Sequence, residues 1–304
     1  MARPRNRLLD LAQYAALRLA AAIAFIIGPA GNYRLAGAIG YLLWRFDRKH
    51  RRLAEGHLRL SFPDWSEDRV RRTARESLYH LVYLGIEVLF TPRLIGPKTW
   101  RRYLSLHNMD ETCRLLIRPH RGVITLTGHF GNWEVMGYAM ATLGFPSVAV
   151  ARALDNPYVN EWVMGVRERT GLSMLYKKGA SASMSDVLDA GGVLSFIADQ
   201  DAGRRGVFVD YFGRPASTYR SIALMAIRHE TPVIVGTTRR VGRSYAFEMS
   251  IERIIRPSEW TDRDDAVEWI TQEYTSALEQ AARRHPEQYL WAHRRWKHSP
   301  AGTK

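Results

Sequence analysis

The sequence predicts an α/β protein, a largely parallel sheet flanked by helices, preceded by a basic helical region. Three observations support this. After residue 120, short apolar β-branched runs alternate with helical stretches, the pattern of a parallel sheet covered by helices. Between about residues 34 and 118 the apolar positions instead keep a helical spacing among many arginines. Finally, in TLTGHFGNWEVMGYAM, residues 125–140, one apolar run ends in Gly128-His129 before Gly131-Asn132 opens a helix. That order puts His129 just outside the carboxyl end of a strand, where α/β sheets build their sites.

Composition bounds the class. A chain of 304 residues, 46% of them hydrophobic, can bury a full core and reads as globular rather than polytopic. Its single cysteine, Cys113, excludes an intramolecular disulfide and a cysteine-built zinc site. Lys and Arg outnumber Asp and Glu by 44 to 30, a net charge of +14 that points to a polyanion or an anionic membrane as partner.

At the N-terminus Arg3, Arg5 and Arg7 precede the mostly apolar segment 14–31, which Arg18 interrupts and Gly28-Pro29 closes. A spanning helix needs ~20 predominantly apolar residues, more than this segment offers without a charge. An interfacial anchor with its arginines at the headgroups is the reading adopted over a signal peptide; a buried core helix stays open. Residues 1–31 are therefore expected to form the anchor, 32–120 a basic helical region, and 121–304 the α/β core.

Within the basic region, Pro63-Asp64-Trp65-Ser66 reads as a turn and cap, followed by a long helix from Glu67. In the core, strands are expected at 122–127, 146–151, 192–198 and 232–238, with helices at 132–143, 156–170, 180–190, 216–229 and about 264–284. The tail QYLWAHRRWKH is basic and aromatic. It suits RNA by composition, but beside an apolar N-terminus a membrane interface is the preferred partner, with no nucleic acid.

His129 and Glu134 are the first chemical candidates. On one continuous helix, residues five apart point about 140° away from each other; across a strand–helix junction they can cooperate. Asn132 is a good N-cap, which leaves Glu134 in the first turn, where the helix dipole favours its ionised form. An ionised carboxylate on one imidazole N–H leaves the other nitrogen free to take a proton. No Ser or Cys nucleophile sits beside the pair, so the nucleophile is expected to be a substrate hydroxyl. On spacing alone, a strand-ending histidine and a helix-capping glutamate remain an equal alternative.

The run GHFGNWE resembles the H-x4-[D/E] motif of the lipid A biosynthesis (lauroyl/myristoyl) acyltransferase family, within the lysophospholipid acyltransferase superfamily. VARALDNPYVNEW (150–162), GVLSFIADQDAG (192–203), VFVDYFGRPAST (207–218) and PEQYLWAHRRWK (286–297) resemble the same family in the same order. The resemblance implies a glycerol-3-phosphate acyltransferase-like core and transfer of a fatty acyl chain to a hydroxyl of a lipid A-like glycolipid. The donor would be a thioester of acyl carrier protein or coenzyme A, and no cofactor or metal is needed. His129 would be the general base and Glu134 its orienting carboxylate.

Further residues follow from these blocks. Arg152 is a candidate for the oxyanion or an acceptor phosphate, and Asp199 for a place beside His129 or bracing the cleft. Arg214, Ser217 and Thr218 are read as a strand end and helix start whose N–H groups suit an anion; Asn132 joins them as a binding candidate. The enzyme would work at the cytoplasmic face of the cell inner membrane. Related acceptors such as phosphatidylinositol mannoside stay open. So does a glycosyltransferase using Asp199 and Asp201 with a metal, since a D-x-D pair alone is a weak signal.

Overall fold

The computed structural model describes residues 6–117, 122–145, 147–151, 153–168, 172–176 and 181–300. Three helices come first: α1 (Arg7–Phe46), α2 (Arg48–Ser61) and α3 (Glu67–Leu94). The start of α3 is legible in the sequence, because the Ser66 hydroxyl caps it by accepting the Arg69 N–H. α1 is broken at Gly28, whose φ of 74° and ψ of 169° lie outside the helical region, with Pro29 immediately after. The buried Asn32 side chain donates to the carbonyls of Ala24 and Gly28, each at 2.6 Å, and so satisfies acceptors at the break.

The rest alternates strand and helix: β1 (Leu104–His107), α4 (Asp110–Ile117), β2 (Val123–Thr127), α5 (Trp133–Thr142), β3 (Ser147–Ala151), α6 (Pro157–Glu168), β4 (Leu172–Tyr176), α7 (Ser181–Asp189) and β5 (Val193–Ile197). Then follow β6 (Val207–Asp210), β7 (Pro215–Thr218), α8 (Arg220–Arg228), β8 (Val233–Arg240), β9 (Phe247–Ile255) and α9 (Ala266–Arg284). Seven strands form one sheet in the order β1-β9-β8-β2-β5-β3-β4. The block from β8 to β4 is parallel, β9 runs antiparallel to β8, and β1 is parallel to β9. This is the largely parallel sheet expected.

Alternating side chains of the central strands feed two cores. Ile124 and Leu126 of β2 pack with Ile222, Ile270 and Tyr274 of α8 and α9. Val123, Val135, Met136 and Tyr83 join α3 and α5 to the other face.

Four features depart from the sequence reading. The basic region, expected to be helical to residue 118, includes strand β1, which gains its hydrogen-bond partners only from β9, over 140 residues away. Strands β4 and β9 lie outside the expected strands. Residues 214–218 are not the start of a helix. Beyond the Asp210–Pro215 pair, Tyr211 and Arg214 exchange main-chain hydrogen bonds around a two-residue loop, Phe212 and Gly213, both at positive φ, the geometry of a tight hairpin, and α8 starts only at Arg220.

The fourth departure is the tail. Trp291 and Arg295, read as membrane-facing, are 0% and 1% exposed. Trp291 packs with Phe62, Phe212 and Tyr289, and its indole N–H donates to the Pro286 carbonyl at 2.7 Å. Arg295 donates to the Ser217 carbonyl and the Thr218 hydroxyl, each at 2.6 Å. The segment is thus a strap over the core, and its cation is consumed by internal acceptors.

Candidate active site

The carboxyl ends of β2 and β5 define the site. Thr127 of β2 pairs with Ile197 of β5, so the residues two beyond each strand, His129 and Asp199, come out side by side. The His129 imidazole Nδ1–H donates to Asp199 Oδ1 at 2.6 Å, and the His129 main-chain N–H donates to Oδ2 at 2.8 Å. One carboxylate therefore holds both ring and backbone. Gly128 permits this approach, because a Cβ there would lie 3.1 Å from Asp199 Oδ2.

The geometry sets the electrostatics. Burial favours neutral His129, but the Asp199 charge and hydrogen bond, with the more distant Glu134 charge, prevail and raise its pKa above 6.5. Burial likewise opposes the Asp199 carboxylate, yet the imidazole and the main-chain N–H hold it well below the usual carboxylate range. With Nδ1 committed to Asp199, Nε2 is left as the proton acceptor, and the exposed Gln200 amide nitrogen lies 3.3 Å from it.

The expected orienting residue, Glu134, does something else. It lies in the first turn of α5 as expected, but its carboxylate accepts from Nε and Nη2 of Arg167 on α6. The hydrogen-bonded partner of His129 is Asp199, seventy residues away, and Glu134 reaches His129 by charge alone.

The junction between β2 and α5 is pinned from several sides. The Gly131 N–H donates to the Gln288 carbonyl and Asn132 N–H to the Thr238 carbonyl, while the Leu290 N–H reaches the His129 carbonyl. His80 Nε2 donates to the Gly131 carbonyl at 2.8 Å; burial lowers the His80 pKa to about 3 and keeps the ring neutral. Gly131 has a φ of 56°, and a Cβ there would sit 1.9 Å from the Thr238 carbonyl oxygen, so only glycine fits. Asn132 caps α5 by accepting the Val135 N–H at 3.0 Å.

Beside this junction lies a narrow apolar cavity of about 110 Å³ that opens to solvent. Trp133, Glu134, Thr127 and Arg167 line it, and Trp133 meets the His129 ring edge-on, with centroids 4.9 Å apart. The sequence makes room for it: under α5 the strands present Thr125, Ser195, Ser147 and Ala149, and α5 itself contributes Gly137. Small residues on both walls leave unfilled the volume that Val or Ile would occupy in an ordinary sheet–helix core. Thr125 and Ser195 share one hydroxyl–hydroxyl hydrogen bond at 2.7 Å, which reduces the polarity of the floor.

The remaining candidates fall elsewhere. Arg214 donates to the Ser61 hydroxyl at 2.7 Å and stacks on Trp296; Ser217 and Thr218 are fully buried and bonded to main-chain carbonyls. These three serve the hairpin and strap, not an anion site. Asn132 is fully buried and faces Glu87 rather than a ligand. Arg152 lies outside the described residues. Asp201 is engaged by His298, Nδ1 at 2.7 Å and main-chain N–H at 3.2 Å, so the D-x-D carboxylates do not converge. Among the described residues, no group of three or more His, Cys, Asp or Glu side chains is arranged to hold a metal. Arg167 is the residue sequence reading missed; no local motif marks it.

Residues 4–298 match the family described as Bacterial lipid A biosynthesis acyltransferase. The lipid A biosynthesis lauroyltransferase of Escherichia coli (strain K12) is 26% identical over 89% of this chain and 87% of its own length. The palmitoleoyltransferase of the same organism is 27% identical over 88% and 85%. The solved 1-acyl-sn-glycerophosphate acyltransferase PlsC from Thermotoga maritima covers 81% of this chain and 94% of its own at 11% identity, with a TM-score of 0.34.

Proposed function

Since this chain belongs to the bacterial lipid A biosynthesis acyltransferase family and is an acyltransferase, we propose that it moves a fatty acyl chain from a carrier-protein or coenzyme A thioester to a hydroxyl of a lipid A-like glycolipid, with His129 as general base. The observation that carries this reading is the His129–Asp199 pair beside an apolar cavity. The acyl chain lies in the cavity with its thioester carbonyl near Trp133. The acceptor hydroxyl replaces Gln200 at His129 Nε2, which takes its proton as the oxygen attacks the carbonyl carbon. The tetrahedral intermediate collapses, the C–S bond breaks, and the imidazolium returns the proton to the departing thiolate. Asp199 fixes the tautomer throughout and balances the transient cation. Glu134 adds a second negative charge and holds Arg167 at the cavity wall. The surplus of +14 suits an acidic carrier protein.

The N-terminal helix supports a membrane seat. Leu19 is 64% exposed and Ile26 86%, with Ile23, Ile27 and Leu42 also exposed, apolar side chains that a bilayer interface would cover. Its first half also touches α6 and the residue before it: Arg7 donates to the Tyr158 hydroxyl and Asn156 to the Asp10 carbonyl. A helix tied to the catalytic core along one side suits lying in the interface better than crossing the bilayer. The cytoplasmic face of the inner membrane, where thioester donors are made, fits this arrangement.

The test is acyl transfer by purified protein with radiolabelled acyl carrier protein and acyl-CoA against a panel of glycolipid acceptors. Labelled lipid A-like product from wild type, absent with His129→Ala, is the expected result. Transfer that survives His129→Ala removes the general base assigned here.

A further inference from the structure

A buried polar cluster links the N-terminal helix to the catalytic junction. Glu87 of α3 is 0% exposed, and three donors converge on its carboxylate. The Tyr33 hydroxyl of α1 reaches Oε1 at 2.7 Å, Arg240 Nη1 of β8 the same oxygen at 3.1 Å, and Asn132 Nδ2 reaches Oε2 at 2.7 Å. Tyr33 lies just beyond the Gly28 break of α1, next to Asn32, whose amide satisfies the carbonyls there. Asn132 is three residues after His129 and uses its other side-chain atom, Oδ1, to cap α5. One carboxylate thus fixes the amide orientation of the N-cap that ends the catalytic loop.

A buried ion pair is poor evidence for stability, since apolar residues of similar volume commonly serve as well. What such a pair can supply is a specified position. We propose that Glu87 is a positioning residue for the catalytic junction, acting through Asn132, and that its bond to Tyr33 ties the seating of the N-terminal helix to turnover. A shift of α1 at its break removes a donor from Oε1, leaves Arg240 to draw the carboxylate toward β8, and loosens the Asn132 amide. The loop carrying His129 then loses one of its restraints. A misplacement of that base costs rate more than it costs thioester binding.

The experiment is a double-mutant cycle in the full-length protein. Tyr33→Phe removes only the hydroxyl and keeps the ring stacked on Tyr83. Asn132→Ser keeps a capping oxygen for Val135 and removes the amide donated to Glu87. Each is expected to lower kcat about five- to tenfold with KM for the acyl thioester unchanged, and the double variant to be no slower than the slower single one. Tyr245→Phe is the control, because Tyr245 bonds Thr91 one turn along α3 and does not reach Asn132. It should lower the melting temperature without lowering kcat. Multiplicative losses in the double variant, or an equal kcat loss in Tyr245→Phe, would overturn the proposal.

The inference rests on His129 being the base, and the two fail separately. The His129 ring resonances, assigned by their loss in His129→Ala, should shift in both single variants whatever the turnover. Unchanged resonances in both refute the link, whereas transfer surviving His129→Ala refutes only the base.

Discussion

The His129 imidazole and the Asp199 carboxylate meet at 2.6 Å across the ends of two neighbouring parallel strands, with the His129 main-chain N–H on the second carboxylate oxygen. This double grip makes Asp199, rather than Glu134, the group that sets tautomer and orientation.

Asp199→Asn should therefore lower kcat by about 10²- to 10⁴-fold. The rate should rise with pH as His129 loses its proton, through a value above 6.5 in the wild type. Without the Asp199 charge that limb moves to lower pH. A pH profile of kcat/KM checks both, and an unmoved limb would remove Asp199 from this role.

Glu134→Gln should shift the same limb in the same direction but by less, because Glu134 acts on His129 only through charge. Its larger consequence is to release Arg167 from a bidentate pair. Comparison of the two pH profiles separates the carboxylates; a larger shift for Glu134→Gln would reverse their assigned roles.

The pair also predicts a stability window. The His129 pKa is raised, so its contribution is fully present below 6.5 and lost as pH rises through the raised value. The Asp199 pKa is lowered from 3.8, so its contribution is present above that value and lost as pH falls. Denaturant unfolding at several pH values should thus find Asp199→Asn most destabilising, relative to wild type, between about pH 4 and 6.5.

Filling the cavity should change which chains are accepted. Ala149→Leu or Ser195→Leu places side chain in space now left by small residues. Transfer measured over a ladder of acyl thioesters should lose its longest substrates first and keep the shortest. Uniform loss across the ladder would place the acyl chain elsewhere.

Gly131→Ala should cost about 3 kcal/mol or more, since it combines a left-handed φ with a clash against main chain that cannot rotate away. Thermal unfolding reads this directly, and a stable variant would show that the junction can be rebuilt.

Much of this was legible in the sequence because the physics is local. The Ser66 and Asn132 caps each bond an N–H three residues on, and the central strands announce themselves as apolar runs between turn residues. The H-x4-E spacing correctly located a strand–helix junction with a histidine at its mouth.

Tertiary structure decided what that histidine touches. Asp199 is its partner because the Thr127–Ile197 register sets two loops in step, and register is a property of pairing, not of either segment. The same holds for β1, which needs β9 to satisfy its backbone, and for Arg167, which no motif marks. Local periodicity and capping determine the elements and the junction. The choice of carboxylate, the burial of Trp291 and Arg295, and the empty space under α5 arise only when distant segments compete for the same hydrogen bonds and volume.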